Sequence, residues 1–139
     1  VLSRLCSVDY HRFHFPVDGK ASETILLNGP LYSVNPIALR RNLAYLWENR
    51  RTLTMLTTES FGTVLMLEIG ATNVGSIRQT FRPGQIAKGD EKGYFEFGGS
   101  STLLLFEPGR VQLAEDLLER SRHQTELYAR VGDRLGVGL

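Results

Sequence analysis

Short apolar runs separated by glycine and other turn-forming residues predict a chain built mostly of β-strands. The 14 glycines are spread along the sequence, and many of them stand at the ends of such runs. We predict strands over Thr24–Leu27, Leu31–Val34, Thr52–Thr57, Thr63–Ile69, Thr72–Thr80, Ser101–Phe106 and Glu126–Val131. Short strands at close, regular intervals are typical of an antiparallel barrel or sandwich.

The strand predicted over Thr63–Ile69 has few polar positions on either of its faces. The alternating sets are Val64, Met66 and Glu68 against Leu65, Leu67 and Ile69. An antiparallel strand with one solvated face alternates cleanly between apolar and polar residues. We therefore expect this strand to be covered on both sides.

Two short helices are predicted between the strands. The first begins at Asn35-Pro36, where asparagine can cap a helix and proline can take the first helical position. After it, apolar residues recur at helical spacing at Ile37, Leu39, Leu43, Leu46 and Trp47. The second helix runs from about Ala114 to His123, with Leu117 and Leu118 facing inward. The predicted fold class is mostly β (α+β), a flattened antiparallel β barrel or sandwich with two short helices, in a single domain over residues 1–139.

Charge and cysteine content narrow the classes of function. The formal net charge of +1 argues against a nucleic-acid binder. Cys6 is the only cysteine, so neither an internal disulfide nor a cysteine-based metal cluster can form. No apolar run approaches the roughly 20 residues that span a bilayer, and the N-terminus lacks the layout of a signal peptide. Because the first residue is Val1 and not methionine, we expect a fragment or a processed product.

The first segment with candidate chemistry is Phe97-Gly98-Gly99-Ser100-Ser101-Thr102, directly before an apolar run. A serine hydroxyl can attack the carbonyl carbon of the residue before it and convert that amide into an ester. β-Elimination then leaves a dehydroalanine, which hydrolyses to a pyruvoyl group. A glycine pair tolerates the unusual backbone angles that such an attack needs. Taken alone, the segment favours a plainer interpretation, a Gly-Gly turn leading into a strand.

A second segment, Asp9-Tyr10-His11-Arg12-Phe13-His14-Phe15-Pro16, holds two of the three histidines. Histidine is well suited to exchange protons near neutral pH, which indicates acid–base chemistry. A metal site would need further ligands, and positions three apart on a strand point to opposite faces. The third interpretation is an aromatic-rich strand with one core histidine. The segment alone leaves these three alternatives open.

A third segment, Ile69-Gly70-Ala71-Thr72-Asn73-Val74-Gly75-Ser76-Ile77, has two glycines five apart. This spacing is also that of a phosphate-binding loop, but no Lys-Ser/Thr pair follows the second glycine. Nucleotide binding is therefore rejected. Close backbone packing at the two glycines is the favoured interpretation.

Together and in this order, the segments resemble the phosphatidylserine decarboxylase family over nearly the whole chain. Asp9–His14 is similar to the histidine motif of that family, and Val74-Gly75-Ser76-Ile77 to its valine-glycine-serine run. The segment from Lys88 to Phe95 leads into the processing motif as it does in the family. The other matching segments are Ser33-Val34-Asn35-Pro36, Glu48-Asn49-Arg50-Arg51 and Val131-Gly132-Asp133-Arg134-Leu135-Gly136.

The resemblance implies self-cleavage between Gly99 and Ser100 into a β chain of residues 1–99 and an α chain of residues 100–139. Ser100 would become a covalent pyruvoyl cofactor that forms a Schiff base with the substrate amine. His14 would be the base for self-cleavage, and His11 the proton donor in decarboxylation. No metal is implied.

The same resemblance implies phosphatidylserine as the substrate, with phosphatidylethanolamine and carbon dioxide as the products. The protein would bind peripherally to a membrane, on the cytoplasmic side if it is bacterial. The two cleaved chains would form a heterodimer. Arg12 is the basic residue nearest to the histidines in sequence and is a candidate for the substrate phosphate.

The sequence departs from the family pattern at two places. The processing point is Gly98-Gly99-Ser100-Ser101, where many members have leucine-glycine-serine-threonine, and the family also shows this variant. The acid that pairs with the base histidine lies upstream in the family, in a proline-x-aspartate-glycine segment. Pro16-Val17-Asp18-Gly19 is similar but follows the histidines, so neither Asp18 nor Asp9 is assigned as that acid.

Two alternative functions stay open at the level of sequence. One is a related pyruvoyl-dependent decarboxylase of a free amino acid, which would keep Ser100 and the self-cleavage. The other is a partial, non-catalytic β-barrel homologue, which the missing upstream acid favours.

Overall fold

Antiparallel β-sheet dominates the computed structural model, which describes residues 1–72, 76–96, 98 and 100–139. In these ranges the strands are β1 (Leu2–Leu5), β2 (Arg12–His14), β3 (Gly19–Ala21), β4 (Ile25–Leu27), β5 (Arg51–Thr58), β6 (Gly62–Ile69), β7 (Ser76–Gln79), β8 (Gly84–Ile86), β9 (Glu91–Glu96), β10 (Ser100–Phe106), β11 (Val111–Leu113) and β12 (Gly136–Gly138). The helices are α1 (Pro36–Arg41), α2 (Tyr45–Glu48) and α3 (Glu115–Arg122). The predicted mostly β fold class is confirmed.

The strands form one large sheet and two small ones. The large sheet has seven strands in the order β1-β10-β6-β5-β3-β8, with β4 also paired to β5. A three-stranded sheet has the order β2-β9-β7, and β11 pairs with β12. Within the described residues the large sheet is open at both ends of its strand order. These residues therefore form no closed barrel, which was one of the two predicted architectures.

The centre of the large sheet is where the alternation of apolar residues predicts best. Strands β5, β6 and β10 contain the three strands predicted there, and each extends one or two residues further. Register partners lie on the same face of a sheet. One row of register partners is Thr54, Met66 and Leu104, and the next row on the same face is Leu56, Val64 and Phe106. We call this the inner face of the large sheet.

The main core lies between the inner face and the three-stranded sheet. From the large sheet it contains Leu56, Val64 and Met66, and from β2 and β9 it contains Phe13 and Phe95, all buried. The rings of Phe13 and Phe95 meet edge to face, with centroids 5.0 Å apart. Apolar burial of this kind contributes about 1.5–3 kcal/mol for each large side chain. The core therefore fixes the histidine segment against the large sheet.

The first predicted helix begins where expected but is divided. Asn35 Oδ1 accepts a hydrogen bond from Ile37 N at 3.0 Å, which confirms the predicted cap. The chain leaves α1 at Asn42, whose Oδ1 accepts from Ala44 N at 2.9 Å, and α2 begins at Tyr45. The side chain of Asn42 competes with the helical backbone bonds, so one predicted helix becomes two. The second predicted helix is confirmed as α3, with Leu117 and Leu118 half-buried.

Two predicted strands are wrong, and two others are shorter than predicted, of which Thr24–Leu27 is β4 and begins one residue later, at Ile25. Leu31–Val34 forms no strand because the Asn49 side chain accepts from Tyr32 N and donates to Tyr32 O, at 3.0 and 2.8 Å. Glu126–Val131 forms no strand, and its residues lie exposed without a partner strand in the described residues. The strand predicted over Thr72–Thr80 is β7, and residues 73–75 lie outside the described residues.

Candidate functional site

Ser100 is the first residue of β10 and is buried. Its register partner on β1 is Leu5, which packs against the main core, so the Ser100 side chain lies on the inner face. Its Oγ has no hydrogen-bond partner among the described residues. A buried hydroxyl is usually hydrogen-bonded, so the unsatisfied Oγ of Ser100, like that of Ser101, calls for an explanation. Gly99, on the other side of the predicted cleavage bond, lies outside the described residues, as does Val74-Gly75 of the family run.

His11 reaches the segment before Ser100. Its backbone carbonyl accepts from Phe95 N at 3.0 Å, which fixes the residue opposite the end of β9. From there its ring Nε2 lies 2.6 Å from the carbonyl oxygen of Gly98. Gly98 has φ +83°, a backbone conformation that glycine adopts easily, and it turns the chain after β9. The geometry brings an acid–base side chain to the turn that precedes Ser100.

Both ring nitrogens of His11 face carbonyl oxygens. Nδ1 lies 2.7 Å from the carbonyl oxygen of Asp9, and Nε2 contacts Gly98. A carbonyl oxygen only accepts, so each nitrogen must donate to complete its bond. In either tautomer of the neutral ring, one of the two nitrogens carries a hydrogen and donates it to its carbonyl oxygen. The His11 ring is therefore held by hydrogen bonding beside Gly98.

His14 has a different set of partners. Its Nδ1 lies 2.9 Å from the carbonyl oxygen of Gly89, so this nitrogen donates. Its Nε2 lies 2.9 Å from the hydroxyl of Tyr10, whose ring stacks on the imidazole. In the neutral ring, Nε2 carries a lone pair that accepts from Tyr10. Gly89 precedes β9 and Ser100 follows it, so the hydrogen bonds of His14 lie at the opposite end of β9 from Ser100.

The two unassigned aspartates bind backbone amides. Asp9 Oδ2 accepts from Cys6 N at 2.6 Å, and Asp18 Oδ1 accepts from Lys88 N at 2.7 Å. Neither carboxylate hydrogen-bonds to His14 in the described residues. Among the same residues, no group of three or more His, Cys, Asp or Glu side chains is arranged to hold a metal ion. The metal-site interpretation of the histidine segment needs further ligands, and the described residues provide none.

Sequence reasoning missed a buried ion pair on the inner face. Lys92 Nζ donates to Glu68 Oε2 at 2.9 Å, and both side chains are fully buried. The same ammonium group donates to Gln79 Oε1 at 2.8 Å, and Thr52 Oγ1 donates to Glu68 Oε2. Burial lowers the pKa of Lys92, and the Glu68 carboxylate opposes that shift. The one local signal was an acid in phase with Val64 and Met66 on β6.

A β-bulge turns Lys92 into the core. Phe13 pairs with Gly93 and His14 pairs with Glu91, so Lys92 is the extra residue between two register positions. A bulge re-aims the side chain of its extra residue. Gly93 supports this arrangement, because a Cβ at that position would lie 2.8 Å from the Phe13 ring.

The buried pair and Ser100 lie on the same face of the large sheet. Glu68 is the register partner of Thr102, which is two residues after Ser100 on β10. Diagonal neighbours of this kind are about 7–8 Å apart. Glu68 Oε1, like Ser100 Oγ, is buried without a hydrogen-bond partner in the described residues. This end of the core is therefore polar and incompletely satisfied in the described residues, whereas the rest of the core is apolar.

Two adjoining surface cavities lie beside β1 and α1. One, of about 260 Å³, is lined by Arg4, Leu5, Cys6, Ser7, Ser33, Val34, Asn35, Ala71 and Thr72. The other, of about 340 Å³, is lined by Ser33, Asn35, Ile37, Ala38, Arg41 and Tyr45. Since they share Ser33 and Asn35, we treat them as one groove. Leu5, the register partner of Ser100, is among the residues that line this groove.

The arginines differ in their access to the groove. Arg4 lines it, but its guanidinium binds both carboxylate oxygens of Glu126 at 2.6 Å, and this hydrogen bond raises the pKa of Arg4. Arg12 forms an ion pair with Glu91 and does not line the groove. Arg41 is exposed and forms no ion pair with the described residues. Arg41 is therefore a better candidate for an anionic ligand than Arg12.

Comparison with known proteins gives consistent matches. A family model described as phosphatidylserine decarboxylase matches residues 1–137. A phosphatidylserine decarboxylase proenzyme of Chlamydia felis (strain Fe/C-56) is 53% identical over 140 residues, which cover 100% of this chain and 47% of the relative. The proenzyme of Chlamydia pneumoniae is 53% identical over 137 residues, covering 98% of this chain and 46% of the relative. The chain therefore spans about half the length of the curated relatives it matches.

Proposed function

Because the chain belongs to the phosphatidylserine decarboxylase family, we propose that the full-length protein cleaves itself at Gly99-Ser100 and then decarboxylates phosphatidylserine to phosphatidylethanolamine. The observation that carries this proposal is the 2.6 Å contact from His11 Nε2 to the carbonyl oxygen of Gly98, two residues before the buried Ser100. It joins an acid–base group to the proposed cleavage segment, although the two are far apart in sequence.

Self-cleavage uses the Ser100 hydroxyl as its nucleophile. Oγ attacks the carbonyl carbon of Gly99, a base takes the hydroxyl proton, and the amide nitrogen leaves protonated, so an ester replaces the amide. Removal of the Ser100 α-proton then expels the Gly99 carboxylate and leaves a dehydroalanine. Water converts this group to pyruvoyl and releases ammonia. His14 is proposed as the base by its match to the family motif alone, since its ring contacts Gly89 and Tyr10, at the end of β9 away from Ser100, and this role requires the ring to move toward Ser100.

The residues around Ser100 fit the pyruvoyl group that the family implies. The Ser100 hydroxyl is buried, and the described residues offer it no competing hydrogen bond. Strand β10 lies between β1 and β6, so its ladders would hold the new terminus and the two cleaved chains together as a heterodimer. When present, the group supplies an electron sink for the loss of carbon dioxide.

His11 is proposed to return a proton to the substrate α-carbon after carbon dioxide leaves. Its ring nitrogens face two carbonyl oxygens, and an N–H at Nε2 is the group that would donate this proton. The contact to Gly98 holds the ring at the turn before Ser100. A small movement away from Gly98 would free Nε2–H for the substrate.

The groove beside α1 is proposed to receive the lipid headgroup. Arg41 would bind the substrate phosphate as a charge-assisted partner. None of the helices in the described part of the chain is long and apolar enough to cross a membrane. We propose peripheral association with an anionic membrane surface, which would be the cytoplasmic one in a bacterium.

Replacement of Ser100 tests the proposal. In the full-length protein, Ser100→Ala removes the nucleophile, so we expect a single uncleaved chain by intact mass spectrometry and no carbon dioxide release from phosphatidylserine vesicles. Ser101→Ala is the matched control, because Ser101 is also buried with an unsatisfied hydroxyl but is the register partner of Ile69 on the other face. Cleavage of the Ser100→Ala protein into two chains would overturn the assignment. Carbon dioxide release from free serine but not from the vesicles would mean that the substrate is a free amino acid and not the lipid.

A further inference from the structure

The outer face of the large sheet carries an unpartnered aliphatic surface. One row of register partners crosses the five strands β4, β5, β6, β10 and β1, and a second row crosses β5, β6 and β10. We call the two rows together the outer patch: Ile25, Leu53, Leu67, Leu103 and Leu2, with Met55, Leu65 and Leu105. Every member is a large aliphatic side chain, and the first row spans about 19 Å between its outermost strands.

This patch is open to solvent in the described residues. Ile25 is 57% exposed, Met55 46%, Leu105 45% and Leu2 39%, and the other four members are half-buried. Beside it, the same face is covered by α1 and α2, where Val34 and Leu39 pack on Ile69. Leu103, a member of the patch, also packs against this cluster, and the cover by α1 and α2 stops there, at the edge of the patch. Contiguous apolar surface of this extent marks an interaction site.

We propose that the outer patch is the docking surface for the remaining part of the same full-length polypeptide. The curated relatives are about twice as long as this chain, which covers 47% and 46% of them. A segment of the same polypeptide reaches this face at a high effective concentration, because its binding is intramolecular. An antiparallel sheet whose two faces are both apolar is typical of an interior layer, as the alternation in β6 predicts.

The rows of the outer face that flank the patch contain basic residues, Arg51 and Arg4 on one side and Lys20 on the other. Basic residues also border membrane-facing surfaces. The occupant is therefore inferred from the length of the relatives and from the two apolar faces of the sheet, and a bilayer is one outcome of the test. With the segment docked, the large sheet is the central layer of the full-length protein, with the Ser100 face on one side and the docked segment on the other.

Cysteine labelling of the full-length protein tests this inference. In a background without native cysteines, including Cys6, single cysteines replace Met55 or Leu105 in the patch. Leu56→Cys, the next residue on β5, is the buried reference, and Val131→Cys is the exposed reference at 68%. Without lipid and at low protein concentration, we expect maleimide to react with Met55→Cys and Leu105→Cys at least 100-fold more slowly than with Val131→Cys.

Three results would overturn the inference. Labelling of both patch cysteines at the rate of Val131→Cys would mean that the face is open. Protection that is lost on dilution would mean that a second copy covers it, and protection that requires vesicles would mean a bilayer.

A charged substitution gives an independent measurement. Met55→Asp should lower the midpoint of denaturant unfolding of the full-length protein, whereas Thr57→Asp, on the same face and strand but outside the patch, should leave it unchanged. Equal midpoints for Met55→Asp and the unsubstituted protein would contradict a covered patch. If Met55→Asp does not fold, the labelling of Met55→Cys still decides the matter. Neither readout depends on catalytic activity, so this inference and the proposed function can fail separately.

Discussion

The two histidines of the Asp9–His14 motif lie three residues apart, yet their hydrogen bonds lie at opposite ends of β9. His11 contacts the carbonyl oxygen of Gly98, at the end nearer to Ser100. His14 contacts the carbonyl oxygen of Gly89, at the beginning of the strand. One ring faces two acceptors, and the other faces an acceptor and a phenol. The two identical side chains thus have different hydrogen-bond partners, and the roles proposed for them differ as well.

The first way to break this comparison is His11→Ala in the full-length protein. Loss of the proton donor should slow decarboxylation by about 10²–10⁴-fold while leaving self-cleavage intact. Carbon dioxide release per cleaved chain gives the turnover, and a denaturing gel gives the cleavage. His123→Ala is the matched control, since that side chain is 69% exposed and pairs with Glu119 on α3. A His11→Ala enzyme with normal turnover would remove His11 from the donor role.

His14→Ala should have the converse effect. Loss of the proposed base should slow the appearance of the α chain by about 10²-fold or more, because water is a weaker acceptor for the Ser100 proton. Turnover per cleaved chain should change much less than in His11→Ala. A time course of cleavage by intact mass measures the first quantity, and an assay normalised to the cleaved fraction measures the second. If His14→Ala cleaved normally but turned over slowly, the two roles would have to be exchanged.

Lys92 lies on β9 between the positions that His14 and His11 contact. Its replacement tests how much the buried ion pair with Glu68 stabilises this part of the fold. Lys92→Met leaves Glu68 as a buried, unpaired charge, which should lower the free energy of unfolding by about 3–5 kcal/mol. Glu68→Leu with Lys92→Met should recover most of that loss, because apolar residues replace the whole pair. Urea unfolding in an uncleaved Ser100→Ala background measures both. A Lys92→Met protein of unchanged stability would mean that the substitution does not leave Glu68 as a buried, unpaired charge.

Alternation predicted the central strands because their burial is local and periodic. It could not predict β9, whose sequence Glu91-Lys92-Gly93-Tyr94-Phe95-Glu96 has few good strand formers. That strand pairs with β2 on one side and β7 on the other, so distant partners and not local preference form it.

The wrong strand predictions arise where local composition favours a strand but no partner strand is present in the described residues. Leu31–Val34 reads as a strand, but the Asn49 side chain satisfies the Tyr32 backbone in place of a partner strand. Glu126–Val131 has the right composition and no neighbouring strand in the described residues. The ordered motifs named the candidate residues Ser100, His11 and His14, whose roles stay predictions. Its contacts were not, since His11 and Gly98 are 87 positions apart and only the fold brings them together.

Tyr10→Phe is the most selective way to sharpen the comparison of the two histidines. The substitution removes only the hydroxyl at 2.9 Å from His14 Nε2 and keeps the stacked ring. A single hydrogen bond contributes about 0.5–1.5 kcal/mol, so cleavage should change by about 2- to 10-fold. If Tyr10 orients the base, cleavage slows. If its hydroxyl occupies the lone pair that must take the Ser100 proton, cleavage speeds up. Either change, with turnover by the cleaved enzyme unaffected, would assign Tyr10 to the His14 side. A turnover defect without a cleavage defect would instead couple Tyr10 to His11, its neighbour in sequence, and would weaken the separation of the two roles.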